Sequence, residues 1–149
     1  MTLATDLTNE IKTRLESIRK EGGYLTDLGS AVYRGSSEQI INDLTQLPAA
    51  LMRTSSDGVE DSRPGKAKRT RTVLVEAYVQ DDSDYEPLLD DIAHDIYRSV
   101  SSLTTGEQIS RAAMSVEIGG FDYDHPSPGE RVAVISTEIR ITYVETYNQ

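Results

Sequence analysis

The clearest strand pattern in the chain lies at Arg131–Val144, which reads RVAVISTEIRITYV. Apolar and polar side chains alternate along it: the apolar set is Ala133, Ile135, Ile139, Ile141 and Tyr143, and the polar set is Ser136, Glu138, Arg140 and Thr142. This alternation is typical of a β-strand with one face in the core. At about 3.3 Å per residue the strand would run roughly 45 Å, which is more than a small sheet needs to bury. It must bend at a bulge or project, and we favour an end that projects and pairs with another subunit.

The rest of the chain divides into further strands and helices. Short or alternating apolar runs predict strands at 31–35, 49–55, 70–79 and 114–118, and the last forms a hairpin with 131–144 across a long connection at 119–130. Apolar residues at helical spacing predict helices over 4–20, 36–47 and 85–102. The middle helix would present Ile40, Ile41, Leu44 and Leu47 on one face. The outer face of the last helix would carry Asp90, Asp91, His94, Asp95 and Arg98.

This order predicts one α+β domain over residues 1–149. The main elements follow as helix, strand, strand, helix, strand, strand, with a long loop between the first two main strands. The two strands around that loop form an antiparallel pair, while the strand–helix–strand step is a crossover between parallel strands. The sheet is therefore expected to be mixed, mainly antiparallel, and packed by two main helices.

Composition excludes several classes of protein. The chain has 149 residues and no cysteine, so disulfides, thiolate zinc sites and thiol catalysis are absent. No apolar run approaches the roughly 20 residues that span a bilayer, and the polar N-terminus is unlike a signal peptide, which favours a soluble intracellular product. The net charge is −10, and the body without residues 63–71 carries −15. Such a body repels DNA phosphates over most of its surface.

Residues 63–71, RPGKAKRTR, concentrate five of the 15 Lys and Arg residues. They end a Gly-, Ser-, Asp- and Pro-rich segment, 55–70, which we predict to be a flexible basic loop. A phosphate loop is disfavoured, because six residues separate Gly58 from Gly65, and Ala67 rather than Ser or Thr follows Lys66. The segment is better interpreted as an arm that docks on an acidic surface, such as the body of a neighbouring subunit. A solvated loop is the alternative.

Two groups of residues could hold a metal. Asp90, Asp91 and His94 share a helix face, but a solvated polar face is the commoner reason for that pattern. Asp122, Asp124 and His125 lie between strands, where Asp side chains more often satisfy turn amides. The sequence has no Gly-x-Ser-x-Gly elbow and no evident buried base. We therefore predict no metal, no cofactor and no catalytic residues.

Five segments together resemble one protein family. They read VYRG, LPAALM, RTRTVLVEAYV, LLDDIAHDIYRSV and VAVISTEIRITYVETY. In this order they resemble the tail terminator, or tail completion, proteins of long-tailed bacteriophages. The likeness covers about residues 4–147 and rests on element order, size and the ending rather than on a catalytic motif. Residues 54–71 show no match to the family's pattern.

The resemblance implies a structural, non-enzymatic virion protein. Tail terminators form a ring, commonly hexameric, that caps the tail tube, stops its polymerisation and provides the surface for the head. The partners implied are the tail tube protein and the head–tail connector or neck proteins, with double-stranded DNA passing through without tight binding. The protein would assemble in the host cytoplasm and reside in the tail or neck of the virion. A neck adaptor of the same virion region, or a non-viral protein-binding adaptor, is the alternative.

The basic arm and the long last strand supply the expected interface residues. They are Arg63, Lys66, Lys68, Arg69, Arg71, Glu138, Arg140 and Tyr143.

Overall fold

A computed structural model describes residues 2–35, 47–101 and 113–147. The helices are α1 (Leu3–Glu16) and α2 (Tyr85–Ser101), and the strands are β1 (Val32–Arg34), β2 (Ala49–Arg63), β3 (Lys66–Gln80), β4 (Ala113–Asp124) and β5 (Val132–Thr146). Short 3₁₀ turns lie at Lys20–Gly22 and Leu28–Ser30. The predicted class is confirmed: the described chain is a single α+β domain with a mixed five-stranded sheet and two helices.

The strands lie in the order β1-β2-β3-β5-β4. The β1–β2 pair is parallel, and the other three pairs are antiparallel. Because β3 and β4 both run antiparallel to β5, they are parallel to each other with β5 between them. The crossover through α2 therefore joins parallel strands that are not neighbours, and the short strand β1 supplies the parallel contact of the sheet.

The core lies between one face of the sheet and the two helices. Ala133, Ile135, Ile139, Ile141 and Tyr143 of β5 are all buried, which confirms the inward face predicted from alternation. Val73, Val75, Ala77 and Val79 of β3 occupy the same face. Removal of this apolar surface from water is the main stabilising contribution to the fold.

Helix α1 ends at Glu16, earlier than the predicted end near residue 20, and is followed by a tightly packed turn. Thr2 caps its first turn by accepting a hydrogen bond from the amide of Thr5 at 3.2 Å. Gly29 lies against the other end and donates its amide to the carbonyl of Ile18 at 2.8 Å. A Cβ at Gly29 would lie 2.4 Å from the carbonyl oxygen of Glu16, so only glycine fits this contact.

Helix α2 buries Leu89, Ile92, Ile96 and Val100 as its apolar spacing predicts. Asp95, which we expected on the outer face, is fully buried. Its carboxylate accepts hydrogen bonds from the amides of Leu25 and Thr26 and from the Thr26 hydroxyl, at 2.8–3.1 Å. The prediction was wrong because the loop after α1 covers this side of the helix.

The prediction of a flexible loop over residues 55–70 is wrong. Residues 49–63 and 66–80 form two 15-residue strands of one hairpin, joined by Pro64 and Gly65. Gly65 has a φ of 76°, and Pro followed by such a glycine is the pair that type II turns favour. The register shifts near Ser55 and Glu60. The segment lacks apolar alternation because both of its faces are largely exposed.

The length of β5 is explained within the chain, and pairing of its end with another subunit stays a prediction. All 15 residues of β5 pair within the chain, from Val132 opposite Gln80 to Thr146 opposite Lys66. The length of β5 matches that of the β2–β3 hairpin. Strand β4 continues through Gly119 and Gly120 to Asp124 and is longer than predicted. The two glycines lie at an irregularity between Ile118 and Phe121, beyond which the pairing with β5 resumes.

The predicted helix at 36–47 lies almost entirely outside the described residues. In the described part of the chain, neither helix is long and apolar enough to cross a membrane.

Candidate functional site

The far end of the hairpin and the end of β5 extend beyond the helices. We call this three-stranded extension the arm and define it as residues 55–71 and 142–147. Ala49–Met52 at the start of β2 are buried, whereas from Arg53 to Arg63 every residue except the half-buried Asp57 is exposed. Strand β1 pairs only with residues 50–52, so beyond Met52 the outer edge of β2 has no strand partner within the described residues.

Asp57 lies at the centre of a polar cluster on the helix-bearing face of the arm. Its Oδ1 accepts a hydrogen bond from Arg69 Nε at 2.7 Å. Its Oδ2 accepts one from Arg71 Nη1 at 3.0 Å and one from the Tyr143 hydroxyl at 2.7 Å. The Asp57 carbonyl accepts a further bond from Arg69 Nη2 at 2.8 Å. Three strands are thereby joined through one carboxylate.

The electrostatics of this cluster favour the ionised carboxylate. Burial would raise the pKa of Asp57, but the hydrogen bonds from Tyr143, Arg69 and Arg71 outweigh it, and the pKa lies below its ordinary value. Burial, together with donation to Asp57, raises the pKa of the Tyr143 hydroxyl to about 12. The hydrogen bond to Asp57 raises the pKa of Arg69. Arg69 and Asp57 are therefore charged and Tyr143 is neutral at physiological pH.

Arg71 connects the arm to the N-terminal helix. Its Nε donates to the Thr8 hydroxyl on α1 at 2.8 Å, and its Nη2 donates to the Thr54 hydroxyl at 2.7 Å. Because the Arg71 side chain is bonded to both α1 and β2, the base of the arm is held against the core. The arm is thus a braced extension of the sheet.

The other expected interface residues also pair within the chain, with one exception. Lys68 lies 3.7 Å from Glu60, Arg63 lies 4.0 Å from Asp61, and Arg140 lies 3.5 Å from Glu138. No ion pair of Lys66 occurs among the described residues, and its side chain is exposed at the turn. Seven of the eight expected residues thus belong to the cluster at Asp57, to two exposed pairs near the tip or to one pair on the open face of β5, and Lys66 is the eighth. Exposed pairs contribute little stability, so these cations remain available to a partner.

The hairpin accounts for the concentration of cations in an acidic chain. Residues 55–71 contain five cations and three acids, Asp57, Glu60 and Asp61, which leaves +2 on the segment. The acids lie on β2, and four of the five cations lie on β3. Opposite charges on neighbouring strands are favourable, so much of the basic run is compensated by its own hairpin.

The residues considered for metal binding engage in other contacts. The Tyr123 hydroxyl donates to Asp90, which raises the pKa of Tyr123 to about 12. His125 Nδ1 lies 2.9 Å from the Tyr85 hydroxyl. Within residues 2–35, 47–101 and 113–147, no group of three or more His, Asp or Glu side chains is arranged to hold a metal.

A second surface lies where α2 meets β4, and we call it the seam. An open groove of about 510 Å³ lies there, lined by Ala93, His94, Tyr97, Arg98, Ser101 and Phe121. Tyr97 is 53% exposed. Arg98 is directed away to the carbonyl of Gly23 at 2.8 Å and to the ring of Tyr24. The groove therefore presents mainly apolar and aromatic surface.

Sequence reasoning missed Asp57, Thr8 and Thr54 in the cluster, and Tyr97 and Phe121 in the seam. The sequence does contain a signal for the cluster: the acids of 57–61 precede the Pro64–Gly65 dipeptide, a turn signal, and the cations of 66–71 follow it. No comparable local signal marks the seam, because α2 and β4 meet only in the folded chain.

No protein-family model matches the chain, and no curated protein matches it.

Proposed function

We propose that this chain is a structural subunit of a phage tail. Copies of it would form a ring that caps the tail tube, ends tube polymerisation and joins the tube to the head through connector or neck proteins. The observation that carries the proposal is the braced arm, whose β2 edge has no strand partner within residues 2–35, 47–101 and 113–147. A projecting element of this kind on a small domain is suited to contacts between subunits.

The bracing of the arm supports a role in assembly. A mobile arm would lose conformational entropy on docking, and that loss weakens association. The Asp57 cluster and the contact between Arg71 and Thr8 order the base of the arm before any partner binds. Pre-organisation of this type makes more of the contact energy available for assembly.

The charge of the chain agrees with passage of DNA through the ring. Each phosphate that a protein neutralises adds affinity and salt-dependent retention. A chain with net charge −10 repels the DNA backbone over most of its surface, and Asp57 engages Arg69 and Arg71. In this role the protein acts without catalysis or cofactor and resides in the tail or neck of the virion after assembly in the host cytoplasm.

The test is capping of tail tubes. Purified protein is added to assembling tubes of a long-tailed phage whose terminator is missing, and tube ends and lengths are measured by electron microscopy. We expect a ring at one end of each tube and arrested growth. Continued growth with bare ends contradicts the proposal, and binding only to isolated connectors would indicate the neck-adaptor alternative.

A further inference from the structure

The exposed apolar side chains of the described residues concentrate on two surfaces. Six large ones are exposed: Leu25, Val59, Tyr97, Tyr123, Val144 and Tyr147. Three belong to the arm, and Tyr97 and Tyr123 flank the seam. Exposed apolar groups that gather at two places on a small domain are typical of contact surfaces.

On the arm, Val59 and Tyr147 flank Arg69. Val59 lies directly opposite Arg69 in the β2–β3 register, and the Tyr147 hydroxyl lies 3.4 Å from Arg69 Nη1. The Tyr147 amide donates to the carbonyl of Gly65 at 2.7 Å, which fixes this residue against the turn. Val59 is 54% exposed and Tyr147 is 52% exposed. An aliphatic and an aromatic side chain are thus held in place around an arginine already bound to Asp57.

At the seam, the aromatic side chains of Tyr97 and Phe121 line an open groove bordered by acids. These acids are Asp90 and Asp91, which lie on the exposed side of α2. The arm carries the opposite balance, because residues 55–71 and 142–147 together have five cations against four acids. The two surfaces are therefore complementary in apolar character and in charge.

The two surfaces of one chain cannot meet. The arm edge belongs to β2 and the seam belongs to β4, and strands β3 and β5 lie between them in the sheet. A contact between arm and seam must therefore form between two copies. Because it joins different surfaces of the two copies, it is heterologous and generates a closed ring when the rotation fits.

We propose that the arm of one copy docks in the α2–β4 seam of the next copy, with Val59 and Tyr147 against Tyr97 and Phe121. This inference rests on the proposed ring and identifies the surface that receives the arm. Lys66, at the turn, would approach the acids that border the seam.

Cross-linking between copies tests this contact, since the chain contains no cysteine of its own. Val59→Cys and Tyr97→Cys chains are mixed in the full-length protein and oxidised, and disulfide-linked dimers are measured on non-reducing gels. We expect a linked dimer in the mixture and little in either variant alone. Glu21→Cys, at an exposed position on the turn after α1, replaces Tyr97→Cys as the matched control and is expected to link poorly.

A loss-of-contact variant gives an independent readout. Tyr97→Ala should weaken self-association about tenfold or more, as removal of a central aromatic anchor commonly does, while its circular dichroism spectrum stays that of the parent. A parent protein that stays monomeric at every concentration, or linkage of Val59→Cys chains only with each other, would overturn the inference.

The outcomes separate this inference from the proposed function. Rings that cap tail tubes but do not link Val59→Cys to Tyr97→Cys contradict the arm–seam contact alone. Oligomers linked as proposed that leave tube ends bare contradict the tail role alone.

Discussion

At the scale of single residues, Asp57 is the group on which the hydrogen bonds of the arm converge. Asp57→Asn would leave Arg69 and Arg71 without their shared carboxylate and would weaken three hydrogen bonds. Charge-assisted bonds contribute more than neutral ones, so we expect a loss of about 2 kcal/mol in the free energy of unfolding. Urea denaturation measures the change. Asp61→Asn is the matched control, because its pair with Arg63 is long and exposed, and it should cost less than about 0.5 kcal/mol.

The same carboxylate predicts a pH dependence. The pKa of Asp57 is lowered in the folded protein from an ordinary value of 3.8, so its stabilising contribution is full above that value and is lost as the pH falls through the folded pKa. The difference in unfolding free energy between the parent and Asp57→Asn should be constant near pH 6 and shrink below about pH 4. A difference that grows on acidification would contradict the assigned direction.

Gly29 provides a test of packing at one residue. Gly29→Ala would place a Cβ 2.4 Å from the carbonyl oxygen of Glu16, and backbone must move to accept it. We expect a loss of roughly 1–3 kcal/mol in unfolding free energy, the usual cost of overpacking. Gly120→Ala is the control, since a Cβ there would meet no atom within 4 Å. Equal stability of the two variants would show that the turn after α1 is looser than described.

At the scale of elements, the tip of the arm should be removable without unfolding the rest of the domain. Replacement of residues 60–68 by Asn-Gly would join Val59 to Arg69 by a two-residue hairpin turn and keep the contacts of Asp57 with Arg69 and Arg71. We expect a folded protein with weakened self-association, because the tip cations are removed while the core is untouched. Thermal unfolding and sedimentation measure the two properties. Loss of folding would mean that the tip stabilises the body, contrary to its exposure.

The elements also show where sequence reasoning succeeds and where it fails. Strand β5 and helix α2 were predicted because each buries one face, and burial imposes a periodic apolar pattern. Residues 55–63 were missed because both faces of the arm are largely exposed, so pairing with β3 leaves no apolar alternation. Asp95 was misplaced because the contact that buries it comes from residues 25 and 26, about 70 positions away. The candidate interface residues were predicted from two segments of the sequence. Their contact with Asp57 could not be predicted in the same way, because it depends on the register of three strands.

At the scale of the whole molecule, an acidic body carries a braced arm and an aromatic seam on opposite sides of one sheet. A domain with two unlike complementary surfaces is suited to head-to-tail assembly, whereas two like surfaces would favour a two-fold dimer. The arm would then form the contacts between neighbouring subunits of the ring, while the rest of the surface would remain available for the tail tube and the head connector.

In the proposed ring, copies of this chain assemble with one another, and light scattering measures their mass in solution at several protein concentrations. A single chain has a mass of 16.5 kDa, so a six-membered ring would have a mass of about 99 kDa. We expect a discrete closed oligomer near that value whose mass stops rising with concentration. A constant 16.5 kDa at every concentration, or a mass that grows without limit, would contradict the closed ring.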